Sequence, residues 1–204
     1  MLEIKNIIRY EVEIYHVVNT IFRSCSYVVS QDGISWLVDC GDVDQIMPLI
    51  DGKLVGVLLT HAHFDHIYGL NHLLRFYPNV VICTNEAGKD GLFSDKLNFS
   101  RYYGDPFVLN QQDRVSLVTD GEMIPLFGDI KAQAMFTPGH SPGCVTWMVE
   151  DAVFTGDSYI PGVKTVTNIP HSDKLLAAQS EELIHKMIEH RSVYPGHAAS
   201  EGMI

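Results

Sequence analysis

The chain has 204 residues, with 14 Lys and Arg against 25 Asp and Glu, a formal charge of -11 and 46% hydrophobic side chains. This is the balance of one compact soluble domain over residues 1–204, long enough to bury roughly 70% of its unfolded surface. Clustered Lys and Arg for binding phosphate are missing, so nucleic acid and anionic membrane surfaces are not expected partners. The longest apolar runs, such as Val55 to Leu59, fall far short of the roughly 18 to 20 residues that cross a bilayer.

The first residues alternate charged and apolar side chains and lack the basic start, apolar block and small-residue cleavage site of a signal peptide, so the cytoplasm is the expected compartment. Short β-branched or aromatic runs at Ile4 to Arg9, Glu11 to Val18, Cys25 to Ser30 and Ile34 to Asp39 predict strands, with Asp32-Gly33 as a hairpin turn. A short helix is predicted over Asp42 to Ile50 with Asp42 as its cap, then a doubly covered strand at Val55 to Leu59. Ile67 to Tyr77 has helical spacing and stops at Pro78, Val80 to Cys83 returns as a strand, and Asn85 to Lys89 reads as a helical turn. Leu92 to Gln112 reads as helical fragments and loop. Strands follow at Ser116 to Val118, Met123 to Leu126, Ile130 to Thr137, Val145 to Val149 and Ala152 to Thr155. One long helix is expected over Ser172 to His190, capped by Ser172 and burying Leu175, Leu176, Leu183, Ile184, Met187 and Ile188, before a strand at Arg191 to Tyr194. This order predicts an α/β sandwich: two mixed sheets face to face with helices outside. Cys25, Cys40, Cys83 and Cys144 are too far apart for a close-spaced zinc or redox motif and are expected as buried thiols.

The predicted strand at Val55 to Leu59 runs into His61-Ala62-His63-Phe64-Asp65-His66. Three imidazoles and a carboxylate in six residues are far more than ten histidines scattered over 204 positions would give. In an extended segment His61 and His63 point the same way, toward one metal position. Asp65 and His66 follow the turn and can face a second position from the start of a helix. The alternative is a polar loop with solvent-facing histidines. Further ligands are available in Thr137-Pro138-Gly139-His140, Phe154-Thr155-Gly156-Asp157 and Val193-Tyr194-Pro195-Gly196-His197, each an apolar strand, then Gly, then a metal-capable side chain.

This set resembles the metallo-β-lactamase fold superfamily, and within it the short glyoxalase II-like members. The likeness runs from Tyr27 to His197 and includes Trp36-Leu37-Val38-Asp39-Cys40-Gly41. It implies the αββα fold, with His61, His63 and His140 on one metal, Asp65, His66 and His197 on a second, and Asp157 bridging. Asp65 and Asp157 are thereby placed in the catalytic centre. The resemblance gives Asp39 a supporting role beneath the metal loop, the alternative being a plain strand-terminal turn residue. The implied cofactors are two divalent ions, zinc first, with iron or manganese as alternatives, and a hydroxide between them as nucleophile. The implied activity is hydrolysis of a small ester, thioester, lactone or similar acyl compound, by a monomer or homodimer. A small-molecule phosphodiesterase and an iron-dependent persulfide-type dioxygenase are the alternatives.

The pattern departs from glyoxalase II in the loop Ser158 to Pro170, which lacks the usual Arg, and in the absence of the helical C-terminal domain that supplies glutathione contacts. Tyr159, Lys164 and His171 are expected near the substrate because they follow the bridging carboxylate. His72, His185 and His190 are expected on helix surfaces, away from the metals.

Overall fold

A computed structural model of the protein describes residues 12–198, so the strand expected over Ile4 to Arg9 lies outside the described residues. The first sheet contains β1 (Glu13–Val18), β2 (Cys25–Gln31), β3 (Ile34–Val38), β4 (Lys53–Leu58), β5 (Val81–Thr84) and β6 (Val115–Leu117), hydrogen-bonded in that order. The first two pairings are antiparallel and the remaining three parallel. The second sheet has the order β11 (Ser192–Pro195), β10 (Ala152–Gly156), β9 (Val145–Val149), β8 (Ile130–Phe136), β7 (Met123–Phe127), with only β10 and β11 parallel. Both sheets are mixed, as the sequence predicts.

Strand periodicity builds the layers. In β2 and β3 the side chains of Tyr27, Val29, Trp36 and Val38 point between the sheets, where they meet Ala134, Val145, Trp147 and Phe154. Their neighbours Val28 and Leu37 point the other way, onto Ile46, Leu70, Leu73 and Leu74 of the helices. The turn joining β2 and β3 has positive φ at both Asp32 (50°) and Gly33 (74°), the backbone that matches strand twist in a tight hairpin.

Three predicted helix boundaries are corrected. The helix expected over Ile67 to Tyr77 is two pieces, α2 (Phe64–Ile67) and α3 (Leu70–Phe76), because the Gly69 N–H leaves the helical register to bond the Cys40 carbonyl at 3.0 Å. Asp42 precedes α1 (Val43–Ile46) but does not cap it with its side chain. Its carboxylate instead accepts from Thr20, Gln45 and Tyr68. The long helix is α5 (Lys174–Met187), capped by Asp173, whose carboxylate accepts from the N–H groups of Leu175 and Leu176 at 2.8 and 3.0 Å. Its buried stripe is Ala177, Ser180, Ile184 and Met187, which leaves Leu175 and Leu176 exposed rather than buried. Asn85 caps the remaining helix, α4 (Glu86–Leu92), by accepting from Gly88 N–H at 2.8 Å. All four cysteines are free and buried. Among the described residues no helix is long and apolar enough to cross a membrane.

Two hydrogen bonds fasten the end of β4 to the opposite sheet. Val145 N–H donates to the Thr60 carbonyl at 2.7 Å, and the indole N–H of fully buried Trp147 donates to the Leu59 carbonyl at 3.0 Å. Both grip the chain just before His61. Trp147→Phe removes the donor and part of the packing, so the metal-free variant should lose about 2 to 4 kcal/mol of unfolding free energy in urea; a loss below about 0.5 kcal/mol would show that this tie carries no weight.

Candidate metal centre

β4, an interior strand of the first sheet, leads into Thr60 and His61, and His63 occupies the N-cap position of α2 with extended backbone (φ −69°, ψ 148°). The next turn brings Asp65 and His66 inward, where the helix start favours a carboxylate. His140 follows β8, Asp157 follows β10 and His197 follows β11. Two of the glycines identified in the sequence are required by close approach. A Cβ on Gly139 (φ 140°) would stand 2.3 Å from the Ala177 backbone in α5, and one on Gly196 would stand 2.1 Å from Asp157 Oδ1.

Asp39, at φ 56° after β3, sits fully buried beneath this loop. It accepts from Thr60 N–H at 2.7 Å, from Thr60 Oγ1–H at 2.7 Å and from His66 Nδ1–H at 2.8 Å. Because the Thr60 hydroxyl proton goes to Asp39, its oxygen is left to accept from His61 Nδ1–H at 3.1 Å. One carboxylate therefore fixes the tautomers of two imidazoles and aims both Nε2 lone pairs at the cleft. Backbone carbonyls do the same for two more: His140 Nδ1 meets Val166 O at 3.0 Å and His197 Nδ1 meets Phe22 O at 2.9 Å. His63 is turned round, with Nδ1 directed to His140 Nε2 at 2.9 Å and its ring against Phe99.

The inward atoms form two groups, His61, His63 and His140, and Asp65, His66 and His197, each within 4.8 Å internally. Asp157 touches both: Oδ2 lies 3.4 Å from His140 Nε2, 3.9 Å from His61 Nε2 and 3.2 Å from His197 Nε2, and Oδ1 lies 3.5 Å from His66 Nε2. Ligands about 2.05 Å from a tetrahedral ion are separated by about 3.3 Å. His66 to Asp65 (3.5 Å), His66 to His197 (3.4 Å) and His197 to Asp65 (3.3 Å) have that spacing. His61 Nε2 and Asp157 Oδ1 are buried with no hydrogen-bond partner, a cost that a cation would remove. Asp39 also falls within reach of His61 and His66, but its oxygens are already engaged on the far side of those rings.

The two halves differ electrostatically. Burial and the neighbouring imidazoles push His61 well below its ordinary pKa and His63 down to about 3, so these rings are neutral donors. In the other half burial is outweighed by carboxylates: Asp65, Asp157 and Asp39 raise His66 to about 9, and Asp157 and Asp65 raise His197 to about 11. Against its own burial, Asp157 is held well below the usual carboxylate range by His66 and His197, as is Asp65, less strongly, by His66. This half is short of positive charge, which divalent ions supply.

Residues 20–197 match the family described as "Metallo-beta-lactamase superfamily". The chain belongs to that superfamily. Glyoxylase B2 of Dictyostelium discoideum is 34% identical over 111 residues, 53% of this chain and 37% of that protein. Hydroxyacylglutathione hydrolase of Buchnera aphidicola subsp. Schizaphis graminum is 27% identical over 139 residues, 68% of this chain and 45% of that protein. The chain thus spans less than half the length of either relative. In fold it is similar to the crystal structure of the BLEG-1 B3 metallo-beta-lactamase, with a TM-score of 0.82 and 24% identity over 92% of both chains. The clustered His and Asp donors of this superfamily member form groups that could hold metal ions.

Beside His63 opens a cavity of about 260 Å³, lined among others by Ala62, Ala87, Leu97, Ser141 and His171. Tyr159 does not line it and instead sets its ring against His185 of α5, 5.0 Å between centroids. Lys164 is exposed on its loop and does not line this cavity. His72 and His190 lie away from the centre, in α3 and just beyond α5. Sequence reasoning missed Thr60, Val166 and Phe22 as supports for the imidazoles. Thr60 adjoins the motif and could have been noticed, whereas the other two act through carbonyls that every residue possesses.

Removing the Thr60 hydroxyl in Thr60→Val leaves His61 Nδ1 without its acceptor. Metal affinity in a chelator competition should fall about 10- to 100-fold, with Thr60→Ser restoring it; equal affinities for parent and Val variant would contradict the role assigned to this hydroxyl.

Proposed function

We propose that the protein hydrolyses a small ester, thioester, lactone or similar acyl compound at a dinuclear centre, with His61, His63 and His140 on one ion, Asp65, His66 and His197 on the other, and Asp157 bridging. The observation that carries this reading is the contact of Asp157 with both donor groups at 3.2 to 3.9 Å. Zinc suits the mixed nitrogen and oxygen donors, and so do iron and manganese. Bound divalent ions would activate water as the nucleophile and polarise the acyl carbonyl.

The chain's own side chains prepare that chemistry. Burial keeps His61 and His63 unprotonated, so no proton has to leave them on metal binding. Asp157 stays ionised among the imidazoles and holds the two donor groups at a fixed spacing. His171, on the cavity wall, is within the region an acyl substituent would enter. Neither Ser141 nor Cys144 forms a competing nucleophile: Ser141 Oγ pairs with Cys144 Sγ at 3.3 Å rather than with a histidine, and burial pushes the Cys144 thiol up. The hydroxyacylglutathione hydrolase relative supports a thioester among the candidate bonds.

Protein purified without chelator and supplemented with metal should contain two ions per chain by elemental analysis; a reproducible value near one would overturn the dinuclear assignment. Asp157→Ala should lose the second ion and at least ~100-fold in turnover, more than Tyr159→Phe or Lys164→Met. Chromogenic thioesters, esters, lactones and phosphodiesters identify the bond: preference for phosphodiesters over every acyl substrate would make the protein a phosphodiesterase, and oxygen consumption with bound iron would make it a dioxygenase.

A further inference from the structure

The cavity beside His63 contains little polar chemistry, and its one carboxylate, Asp90, faces no Lys or Arg there. Its inner wall is made of small residues from three segments, including Ala62 in the metal loop, Ala87 on α4 and Gly143 after His140, with Leu97 adding apolar surface. Ser141, His171 and Asp90 are its other polar side chains, and no Lys or Arg lines it. Asp90 lies three residues beyond Ala87 on α4, so both project from the same helix face. Asp90 is exposed at the cavity's edge, and among the described residues no ion pair occupies its carboxylate. His63 is common to this cavity and to the first donor group, so a substituent that extends from the metals into the cavity shares its space with Asp90.

We infer that this cavity selects acyl compounds whose substituent is short and either neutral or amine-bearing, with Asp90 as the residue that rejects anionic tails. A carboxylate or phosphate entering the cavity would leave water for an apolar wall and an unpaired carboxylate, with no Lys or Arg to receive it. An ammonium group would gain an unclaimed partner, and a small alkyl group would gain apolar contact. The chain's overall charge of -11 acts in the same direction on approach. This inference rests on the hydrolase reading for its substrates but not for its geometry. Its consequence is that the glutathione portion of a glutathione thioester, which carries carboxylates, is a poor occupant even though the thioester bond suits the centre.

The test uses zinc-loaded full-length protein and two panels of matched length. Nitrophenyl esters of butyrate, 4-aminobutyrate and succinate report kcat/KM. Propanethiol, cysteamine and 3-mercaptopropionate report equilibrium affinity by calorimetry, because a thiolate can bind the metal whether or not the protein hydrolyses anything. The neutral and cationic members should exceed the anionic member at least tenfold in both panels. Asp90→Asn should raise the anionic members and erase the cationic advantage, while Ala87→Leu should weaken nitrophenyl butyrate several-fold more than a shorter control, nitrophenyl acetate, by filling the cavity. If esters are cleaved but the charge ranking is absent, or is the same in Asp90→Asn, the inference fails and the hydrolase reading stands. If no ester is cleaved yet the thiols keep the ranking and Asp90→Asn removes it, the cavity assignment stands and the hydrolase reading fails.

Discussion

Asp39 is the constraint on which the metal centre depends. It is a buried carboxylate with backbone in the left-handed region, and it engages the end of β4 through Thr60 and the start of α2 through His66. Burial alone raises its pKa, and the hydrogen bonds from His66 and Thr60 oppose that rise. The acceptor pays its desolvation cost by orienting two imidazoles, one directly and one through a shared hydroxyl. Without it Thr60 and His66 lose their shared acceptor, and the lone pairs of His61 and His66 are no longer aimed together at the cleft. A buried carboxylate with all its partners in place is costly to disturb, which makes this an effective anchor for a loop that must hold still.

The remaining supports come from the opposite direction. His140, Asp157 and His197 follow three strands of the second sheet, while the first sheet supplies the His61 to His66 loop. The cleft is therefore a seam between sheets, and its width depends on how the sheets are locked together. Trp147 and Val145 lock them just before the first ligand, and Cys25 N–H closes the other side by donating to the Gly196 carbonyl at 2.7 Å. Packing between the sheets and spacing between donor atoms are thus one property measured at two places.

The two sheets and the identity of the metal-capable residues were legible in the sequence because each depends on a local signal: period-2 apolar runs for the strands, and Gly before His or Asp for the loops. The hairpin at Asp32-Gly33 was legible for the same reason. Helix ends were read less well. Ser172 lost the cap of α5 to Asp173 because the Ser172 hydroxyl is taken by the Ile169 carbonyl at 2.7 Å, and Leu175 and Leu176 are exposed because the helix buries the stripe begun by Ala177. Apolar composition alone does not choose between neighbouring stripes when small residues give the closer approach. The carbonyls that steady His140 and His197 left no trace in the sequence at all, since their role comes from where Val166 and Phe22 are carried by the fold.

Those carbonyls tie surface loops to the reaction centre. Val166 belongs to the segment between Asp157 and α5, whose far end supplies Pro170 and His171 to the cavity wall. Its near end is anchored by Ser158 Oγ–H on the Thr137 carbonyl at 2.9 Å and by the Tyr159 carbonyl accepting from Thr155 Oγ1–H at 2.6 Å, and its far end by Asp173 N–H on the Gly139 carbonyl at 2.8 Å. Its middle therefore orients His140 while its far end borders the space beside His63. A change in the length of this segment would alter both the imidazole and the cavity, so substrate preference and metal binding cannot vary independently here. The metal loop is held by a buried carboxylate and the sheets by close packing, which leaves this segment as the part of the centre where sequence can change the substrate at the lowest cost to the fold.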